Sequence, residues 1–315
     1  MAVRRRRRVL VAGIPLGGVS VLLLDRRAWA LIVAVALAPA CRESPPGGAV
    51  PRDDFGDPIR IGDPPRRIVS LSPATTEILF ALGAGPRLVG RSKYDLWPDS
   101  ARLVPDLGEG LRPNVEAVLG ARPDLVVLYA SLDNRNAAQR FRAADINTLS
   151  LRTDRIADFR RVTTLLGGML HDTARARTVI DSVEGTLDRV RRATAGAARP
   201  TVFWHIWDSP LITIGSGSFM SELVEVAGAR NVYADINGAS GQIALEDVAR
   251  RDPDFILAGP DGARQINLDP RWRIVRAVRE GSVVVLDTGV VARPSVRLGE
   301  AAVSLAKALH PGVLR

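Results

Sequence analysis

Two glutamates occupy the same place in two similar segments of the chain. Glu116 lies in NVEAVLGARPDLVV and Glu246 lies in ALEDVARRDPDFIL, which places them 246 − 116 = 130 residues apart. Each acid is followed by a short helix-like stretch, a Pro-Asp pair and an apolar run. This spacing is too long for a solenoid, whose repeats are about 20–50 residues. The repetition therefore predicts two similar lobes, and one acid on each lobe suits a two-fold symmetric partner.

A second pair of segments repeats in the same order. Glu77 and Gly83 in TEILFALGAG match Glu222 and Gly228 in SELVEVAGAR, with an offset of 222 − 77 = 145 residues. Two lobes leave a cleft between them, and ligand sites occur preferentially at such interfaces. The sequence thus predicts a binding cleft between the two lobes.

Other chemistries find little support in the residues. The histidines His171, His205 and His310 are far apart and give no metal-ligand spacing, so no metal site is predicted. His205 could ligate a haem or an open cobalt site, but a strand histidine satisfied by hydrogen bonds is the preferred interpretation. No Gly-x-Ser-x-Gly pattern and no acid/base pair is evident, so no catalytic residue is predicted. An exported enzyme on a doubly wound fold remains the rival class.

The positive charge is concentrated at the amino end. Residues 1–40 contain seven arginines and one aspartate, which give 7 − 1 = +6 of the formal net charge of +9. The rest of the chain carries only 9 − 6 = +3, without a basic stripe that alternates with aromatic residues. We therefore expect no nucleic-acid partner.

Residues 1–40 are predicted to be a signal peptide. Arginines at 4–8 precede one apolar run, and a second run at 28–40 follows a charged interruption. Neither run reaches the roughly 20 residues of a membrane-spanning helix, whereas the second fits a secretory hydrophobic region. The protein is expected to be exported to the periplasm or the outer face of the cytoplasmic membrane.

Cys41 is the only cysteine and follows Ala-Pro-Ala, which resembles a bacterial lipobox. Two acyl chains on this residue would anchor the protein stably to a membrane. An incidental cysteine beside a cleavage site is the alternative. Residues 41–62 are rich in Pro, Gly and charge, and they are predicted to be a flexible tether.

The remaining chain alternates between strand-like and helix-like segments, which predicts an α/β fold with parallel sheets. Residues 63–153 form the predicted N-terminal lobe, in which the apolar run Leu125–Tyr129 is a buried strand and Asn114 caps a helix. Residues 197–315 repeat the alternation and form the predicted C-terminal lobe.

Residues 154–196 have a continuous helical pattern with one apolar face and no proline. We expect an interruption at Gly167-Gly168 and a new helix capped by Asp172. This segment is the predicted connector between the lobes.

These motifs, in this order, resemble the periplasmic cobalamin- and iron-siderophore-binding proteins of ABC importers. The matching segments are RIVSLSPATTEILFALGAGPRLVG, a Tyr/Trp-Pro segment, NVEAVLGARPDLVV, the helical connector, GSGSFMSELVEVAGARNVYAD and LEDVARRDPDFIL. The resemblance covers roughly residues 60–312 and is strongest to the cobalamin binder. It implies two Rossmann-like α/β lobes joined by a long rigid helical connector, with a metal chelate captured between them.

The resemblance also implies roles for individual residues. Glu116 and Glu246 match the acids that meet arginines of the two permease subunits. The implied ligand contacts are Ser72, Pro73, Thr75, Tyr94, Trp97, Tyr129, Trp207, Arg293 and Arg297. For Arg293 and Arg297, a solvated or capping role remains open. Trp204 is expected to pack in the core, because it lies in mid-strand.

Two departures from the family pattern bear on the ligand. Ser240-Gly241-Gln242 stands where the cobalamin binder has Trp-Pro-Gln, and the segment near Gly108-Glu109 lacks an expected tryptophan. Fewer aromatic rings leave room for a ferric siderophore or a haem.

The predicted function is the substrate-binding component of an ABC importer that delivers cobalamin or a related corrinoid to a permease dimer in the inner membrane. We expect a monomer without a cofactor of its own, the metal chelate being cargo.

Overall fold

The computed structural model describes residues 51–314. The predicted signal peptide and the predicted acylation site at Cys41 lie outside the described residues. Within residues 51–314, no helix combines the length and the apolar character needed to cross a bilayer.

The N-terminal lobe is built on a four-stranded parallel sheet with the order β2-β1-β3-β4. Its strands are β1 (Ile68–Ser70), β2 (Leu88–Arg91), β3 (Leu125–Tyr129) and β4 (Asn147–Leu151). Its helices are α1 (Pro73–Ala81), α2 (Val115–Gly120) and α3 (Arg135–Ala143). As predicted, β3 is buried along its length apart from its last residue, because helices cover both faces of a parallel sheet.

Two helices follow this lobe, α4 (Ile156–Met169) and α5 (Thr173–Thr194). Asp172 caps α5 as predicted, since its side chain accepts a hydrogen bond from the Arg175 backbone N–H. The interruption falls after Met169 rather than at Gly167. A Cβ at Gly167 would lie 2.4 Å from the Ala176 Cβ, so this glycine lets α4 and α5 pack closely instead of ending the helix.

The C-terminal lobe contains a six-stranded mixed sheet. Its strands are β5 (Thr201–Asp208), β6 (Leu211–Ile214), β7 (Arg230–Asn231), β8 (Ser240–Gln242), β9 (Phe255–Ala258) and β10 (Val283–Val285). Its helices are α6 (Phe219–Val226), α7 (Leu245–Arg251), α8 (Pro260–Leu268), α9 (Arg276–Arg279), α10 (Thr288–Val291) and α11 (Leu298–Leu309).

The parallel part of this second sheet repeats the first. Strand β5 pairs in parallel with β7 and β9, and β9 pairs with β10, so the order β7-β5-β9-β10 matches β2-β1-β3-β4. The predicted parallel sheet is thus present, and two further strands with antiparallel pairing extend it. Strand β6 pairs with the carboxyl half of β5 in antiparallel orientation, because the short turn after β5 can only return the chain as a hairpin. Strand β8 then pairs with β6, again antiparallel.

The repeated glycines end equivalent helices. Gly83 follows α1 and Gly228 follows α6, each with φ of 78°. In both places the next residue, Ala84 or Ala229, donates its N–H to a carbonyl five residues earlier, at 2.8 and 3.0 Å respectively. This left-handed ending favours glycine and explains why the residue recurs at the same point of the repeat.

One continuous hydrophobic core joins both lobes and the connecting helices. It includes Ile78 of α1, Phe159 of α4, Leu187 of α5, Leu223 of α6 and Leu305 of α11. Because interiors of this kind are close-packed, bending between the lobes would have to break shared contacts. The shared core therefore supports a stiff connection.

The segment that precedes β1 packs against the N-terminal lobe. Asp53 is buried, accepts a hydrogen bond from the Ser150 backbone N–H at 3.0 Å and forms an ion pair with Arg142. Ile59 joins the core. The sequence predicted residues 41–62 to be a flexible tether, whereas residues 51–59 are ordered against the lobe because Asp53 satisfies an edge N–H of β4.

Candidate functional site

A cavity of about 310 Å³ opens where the strands of the N-terminal lobe end. Its walls are aromatic and apolar, with Tyr94, Tyr129, Leu71 and Leu111, and they carry a few hydroxyl groups and one acid. Segments that end or follow β1, β2 and β3 supply most of this lining. The carboxyl edge of an open α/β sheet is where ligands settle in such folds.

The two tyrosines present their rings to this cavity in different ways. Tyr94 is 51% exposed and lies in a loop after β2. Tyr129 ends β3, and its hydroxyl donates a 2.6 Å hydrogen bond to Asp154 Oδ1. Burial, together with this carboxylate, raises the pKa of Tyr129 far above its ordinary value. Tyr129 is therefore a neutral, fixed ring, whereas Tyr94 is available to a ligand.

A larger cavity of about 570 Å³ opens at the corresponding edge of the C-terminal sheet. Its apolar wall includes Trp204, Trp207, Met220 and Leu286. Trp207, near the end of β5, is 61% exposed, and its Nε1 donates to the Ser209 carbonyl oxygen at 3.0 Å. This arrangement leaves a large indole surface free for contact with a ligand.

The polar edge of the larger cavity contains His205, Asp208 and Gln265. The side chain of Gln265 donates to Asp208 Oδ2 at 2.6 Å. His205 is 5% exposed, and its Nε2 lies 3.5 Å from Asp208 Oδ1 without a hydrogen-bond partner among the described residues. Burial lowers the pKa of His205, although Asp208 acts in the opposite direction. The imidazole is therefore neutral at neutral pH.

The two cavities are neighbours. Ala292 lines the larger one, and the next residue, Arg293, donates from Nη2 to the Tyr94 carbonyl oxygen at 3.2 Å. Tyr94 in turn lines the smaller one. A single bulky ligand can therefore touch both lobes.

No lysine or arginine lines either cavity within the described part of the chain. The cations close to them already have anionic partners. Lys93 pairs with Glu109, Arg297 pairs with Glu300 at 2.7 Å, and Arg293 pairs with Glu77. An anionic ligand would have to break one of these pairs to gain a counter-charge.

The repeated acids Glu116 and Glu246 lie in the first turns of α2 and α7. Because each helix precedes a parallel strand, both begin at the carboxyl edge of their sheets, on the side of the cavities. Glu116 is exposed, and Arg140, at 2.7 Å, lowers its pKa. Glu246 is exposed and has no ion pair within residues 51–314.

A sequence model of the periplasmic binding protein family matches residues 68–289, which is most of both lobes. The chain belongs to the periplasmic binding protein family. The chain is 27% identical over 272 residues to an uncharacterised ABC transporter substrate-binding lipoprotein of Bacillus subtilis, covering 84% of this chain and 86% of that protein. It is 29% identical over 271 residues to a cobalamin-binding protein of Halobacterium salinarum, covering 80% and 71% respectively.

The fold is likewise similar to that of solved family members. The periplasmic haem-binding protein of Roseiflexus superposes with a TM-score of 0.72 at 22% identity, over 80% of this chain and all of the other. This likeness confirms the class of fold: two Rossmann-like lobes joined by a helical connector.

The structure brings together five of the predicted ligand contacts. Ser72, Pro73, Tyr94 and Tyr129 line the smaller cavity, and Trp207 lines the larger one. Their part in ligand binding remains a prediction.

The other predicted contacts do not line either cavity. Thr75 is 1% exposed, and its hydroxyl bonds with Ser70 Oγ at 2.9 Å and the Ser72 carbonyl oxygen at 3.0 Å, so it fixes the start of α1. The ring of Trp97 lies 5.2 Å from the Arg297 guanidinium instead of facing the lining. Arg293 likewise contacts Glu77 rather than the cavities.

Two residues of the larger cavity, His205 and Gln265, are not among the ligand contacts predicted from the sequence. His205 was expected to be satisfied by hydrogen bonds, but its Nε2 has no hydrogen-bond partner among the described residues, although Asp208 Oδ1 lies 3.5 Å away. Gln265 lies on α8, a helix that the sequence analysis did not predict. The Gly259-Pro260 pair, a turn followed by proline at the first helical position, was the available signal.

Proposed function

We propose that this protein captures cobalamin or a related corrinoid between its two lobes and delivers it to an ABC permease. The observation that carries the proposal is the pair of adjoining aromatic cavities without a free cation in their lining. The cobalamin-binding relative and the ABC transporter lipoprotein support it.

The possible cargoes differ in charge. A corrinoid presents a large ring edged mostly by neutral amides, whereas a haem carries two propionates and many ferric siderophores are anionic. Burying a carboxylate without a counter-charge costs several kcal/mol, even after partial solvation. Exposed rings such as Trp207 and Tyr94 instead suit a broad, nearly neutral surface, since they offer contact area at little entropic cost.

A haem or a ferric siderophore is the second candidate, and the unpartnered Nε2 of His205 favours the haem. That nitrogen is buried beneath Asp208, so a metal could reach it only if Asp208 moved away. The fold itself does not choose between cargoes, because it is shared with a haem-binding protein.

Delivery is expected to use the repeated acids. Glu116 and Glu246 lie on the same side as the ligand and one on each lobe, an arrangement that suits arginines on two symmetric permease subunits. Acylation of Cys41 would hold the protein, acting as a monomer, near that permease. We also propose the limits of the three parts: residues 63–153 form the N-terminal lobe, residues 154–196 the connector and residues 197–315 the C-terminal lobe.

The proposed activity is capture without turnover. No group of three or more metal-binding side chains clusters within residues 51–314. The cavity acids Asp208, Asp261 and Glu109 already contact Gln265, Arg264 and Lys93 respectively. Incubation with a bound corrinoid should return the ligand chemically unchanged.

Competition tests the proposal directly. The mature protein is offered equimolar cyanocobalamin, haemin and ferric siderophores of different charge, and native mass spectrometry identifies the bound species. We expect one cyanocobalamin per chain and little haemin. Dominant binding of haemin or of an anionic siderophore would overturn the corrinoid assignment and leave the family assignment in place.

A further inference from the structure

The second pair of repeated glutamates makes equivalent contacts across the molecule. Glu77 on α1 accepts hydrogen bonds from Arg293 Nη1 at 3.1 Å and from the Ser295 hydroxyl, in the segment that leads into α11. Glu222 on α6 accepts from the Ile156 backbone N–H at 2.6 Å and pairs with Arg155, at the start of α4. Each acid thus holds the start of a helix outside its own lobe: Glu77 holds the segment that enters α11 of the C-terminal lobe, and Glu222 holds the start of the connector helix α4.

We name these contacts the Glu77 latch (Glu77, Arg293, Ser295) and the Glu222 latch (Glu222, Arg155, Ile156). The side chain of Glu77 is 1% exposed, whereas that of Glu222 is 27% exposed. Only the Glu77 latch reaches the site: Arg293 also donates to the Tyr94 carbonyl oxygen at 3.2 Å. Both copies of the repeated acid therefore contact a segment outside their own lobe, but only Glu77 joins the two lobes and connects to the site.

The Tyr94 loop, residues 92–97, has two more anchors. Asp95, 1% exposed, accepts a 2.6 Å hydrogen bond from Thr76 on α1 and another from the Ser92 hydroxyl. At the far end, the Arg297 guanidinium lies 5.2 Å from the Trp97 ring. The N-terminal lobe thus fixes the base of the loop, and the C-terminal lobe holds its backbone and its last aromatic ring.

We propose that Arg293, held by Glu77 and Ser295, is a positioning residue that sets the Tyr94 loop in its ligand-receptive arrangement. This inference rests on the proposed function and goes beyond it, because it gives the repeated glutamate a role in ligand affinity. Arg293 is absent from the lining of both cavities, so it acts through Tyr94.

The physical reason is preorganisation. When a loop becomes ordered only on binding, the loss of side-chain freedom weakens association. A loop that is already ordered in the free protein avoids this cost. Burial raises the pKa of Glu77 in spite of Ser295 and Arg293, so desolvation of this acid outweighs the favourable contacts. A buried ion pair of this kind is better suited to specifying one arrangement than to adding stability.

The test compares Arg293→Gln with Arg155→Gln, which breaks the Glu222 latch away from the loop. In the ligand-free protein, hydrogen–deuterium exchange of peptides that cover residues 92–97 should accelerate at least about tenfold in R293Q and stay unchanged in R155Q. Cyanocobalamin affinity, measured by stopped-flow association and dissociation, should fall about tenfold in R293Q, the cost of ordering roughly two side chains on binding. R155Q should bind like the wild type.

A second variant guards against misfolding. Ser295→Ala keeps both charges and loosens Glu77 from one side, so it should change loop exchange in the same direction but less. Unchanged loop exchange in R293Q, or equal acceleration in R155Q, would overturn the positioning role. If the wild type does not bind cyanocobalamin, the exchange measurement still decides the positioning role, and only the proposed cargo fails.

Discussion

The two lobes share a framework but differ at the ligand edge. Their parallel strands have the same order, and their first helices end in the same left-handed glycine. Strand β1 has three residues, whereas β5 has eight and continues past its last pairing with β9 at His205. The extension carries Trp207 and Asp208 and is supported by the hairpin partner β6. The lobes therefore share the elements that form their sheets, and the longer β5 supplies part of the wall of the larger cavity.

The largest expected effect concerns the repeated acids in the first turns of α2 and α7. Changing both Glu116 and Glu246 to arginine should abolish corrinoid uptake in cells, while the affinity for ligand stays unchanged. The reason is that two positive charges would then face the arginines that the proposed docking expects on the permease. Among single variants, Glu246→Ala should reduce uptake more than Glu116→Ala, since Glu116 shares its charge with Arg140. The matched control for charge alone changes Asp181 and Asp188 on α5 to arginine together, which alters the net charge by the same amount at two exposed positions. Normal uptake by the double variant would defeat the docking role.

The equivalent glycines should differ in cost. A Cβ at Gly228 would lie 2.6 Å from the Thr194 Cβ, on a packed helix, whereas at Gly83 it would meet the flexible end of Arg175 at 2.7 Å. Both substitutions carry the left-handed penalty of about 1 kcal/mol, and overpacking adds about 2 kcal/mol at Gly228. Chemical denaturation should therefore show a loss of about 3 kcal/mol for Gly228→Ala and about 1 kcal/mol for Gly83→Ala. Equal losses in the free energy of unfolding would contradict the expected difference between the two glycines.

The larger cavity should contribute more to binding than the smaller one. Trp207→Ala removes a ring that is 61% exposed in the free protein and should weaken corrinoid affinity by about 2 kcal/mol, roughly thirtyfold. Tyr94→Ala should cost about 1 kcal/mol, roughly fivefold. Leu132→Ala, at a residue that is 87% exposed and outside both linings, is the control. Isothermal titration calorimetry measures all three, and a larger loss for Tyr94→Ala would reverse the comparison.

The smallest expected effect is a pH dependence that arises from the Glu77 latch. Burial raises the pKa of Glu77 above its ordinary value of 4.5, so the folded protein binds this proton more tightly than the unfolded chain. Its contribution to the free energy of unfolding should therefore decrease as pH rises from about 4.5 through the raised pKa, and then become constant. Denaturation of the wild type and Glu77→Gln across this range checks the sign. A free energy of unfolding of the wild type that rises relative to that of Glu77→Gln as pH increases would contradict it.

Much of the framework was predictable because its signals are local. Asn114 and Asp172 indicate where two helices start, and the apolar run Leu125–Tyr129 indicates a buried strand. The repeated glycines indicate where two helices end. Each of these depends on chemistry within a few residues, which a single sequence contains.

The site was harder to predict because its geometry is made by distant segments. Thr75 has the right neighbours in sequence but points into the lobe, and Arg293 acts through a residue 199 positions away. The environment of His205 likewise depends on Gln265, which lies 265 − 205 = 60 positions later in the chain and binds Asp208. No local pattern contains this information.

The claim that one ligand is held between both lobes can be tested by a hydrogen–deuterium exchange footprint with and without cyanocobalamin. The account predicts protection in peptides of the N-terminal lobe that contain residues 71–73 and 92–97, and in peptides of the C-terminal lobe that contain residues 204–209 and 259–265. Protection confined to one lobe, or none at saturating ligand, would contradict it.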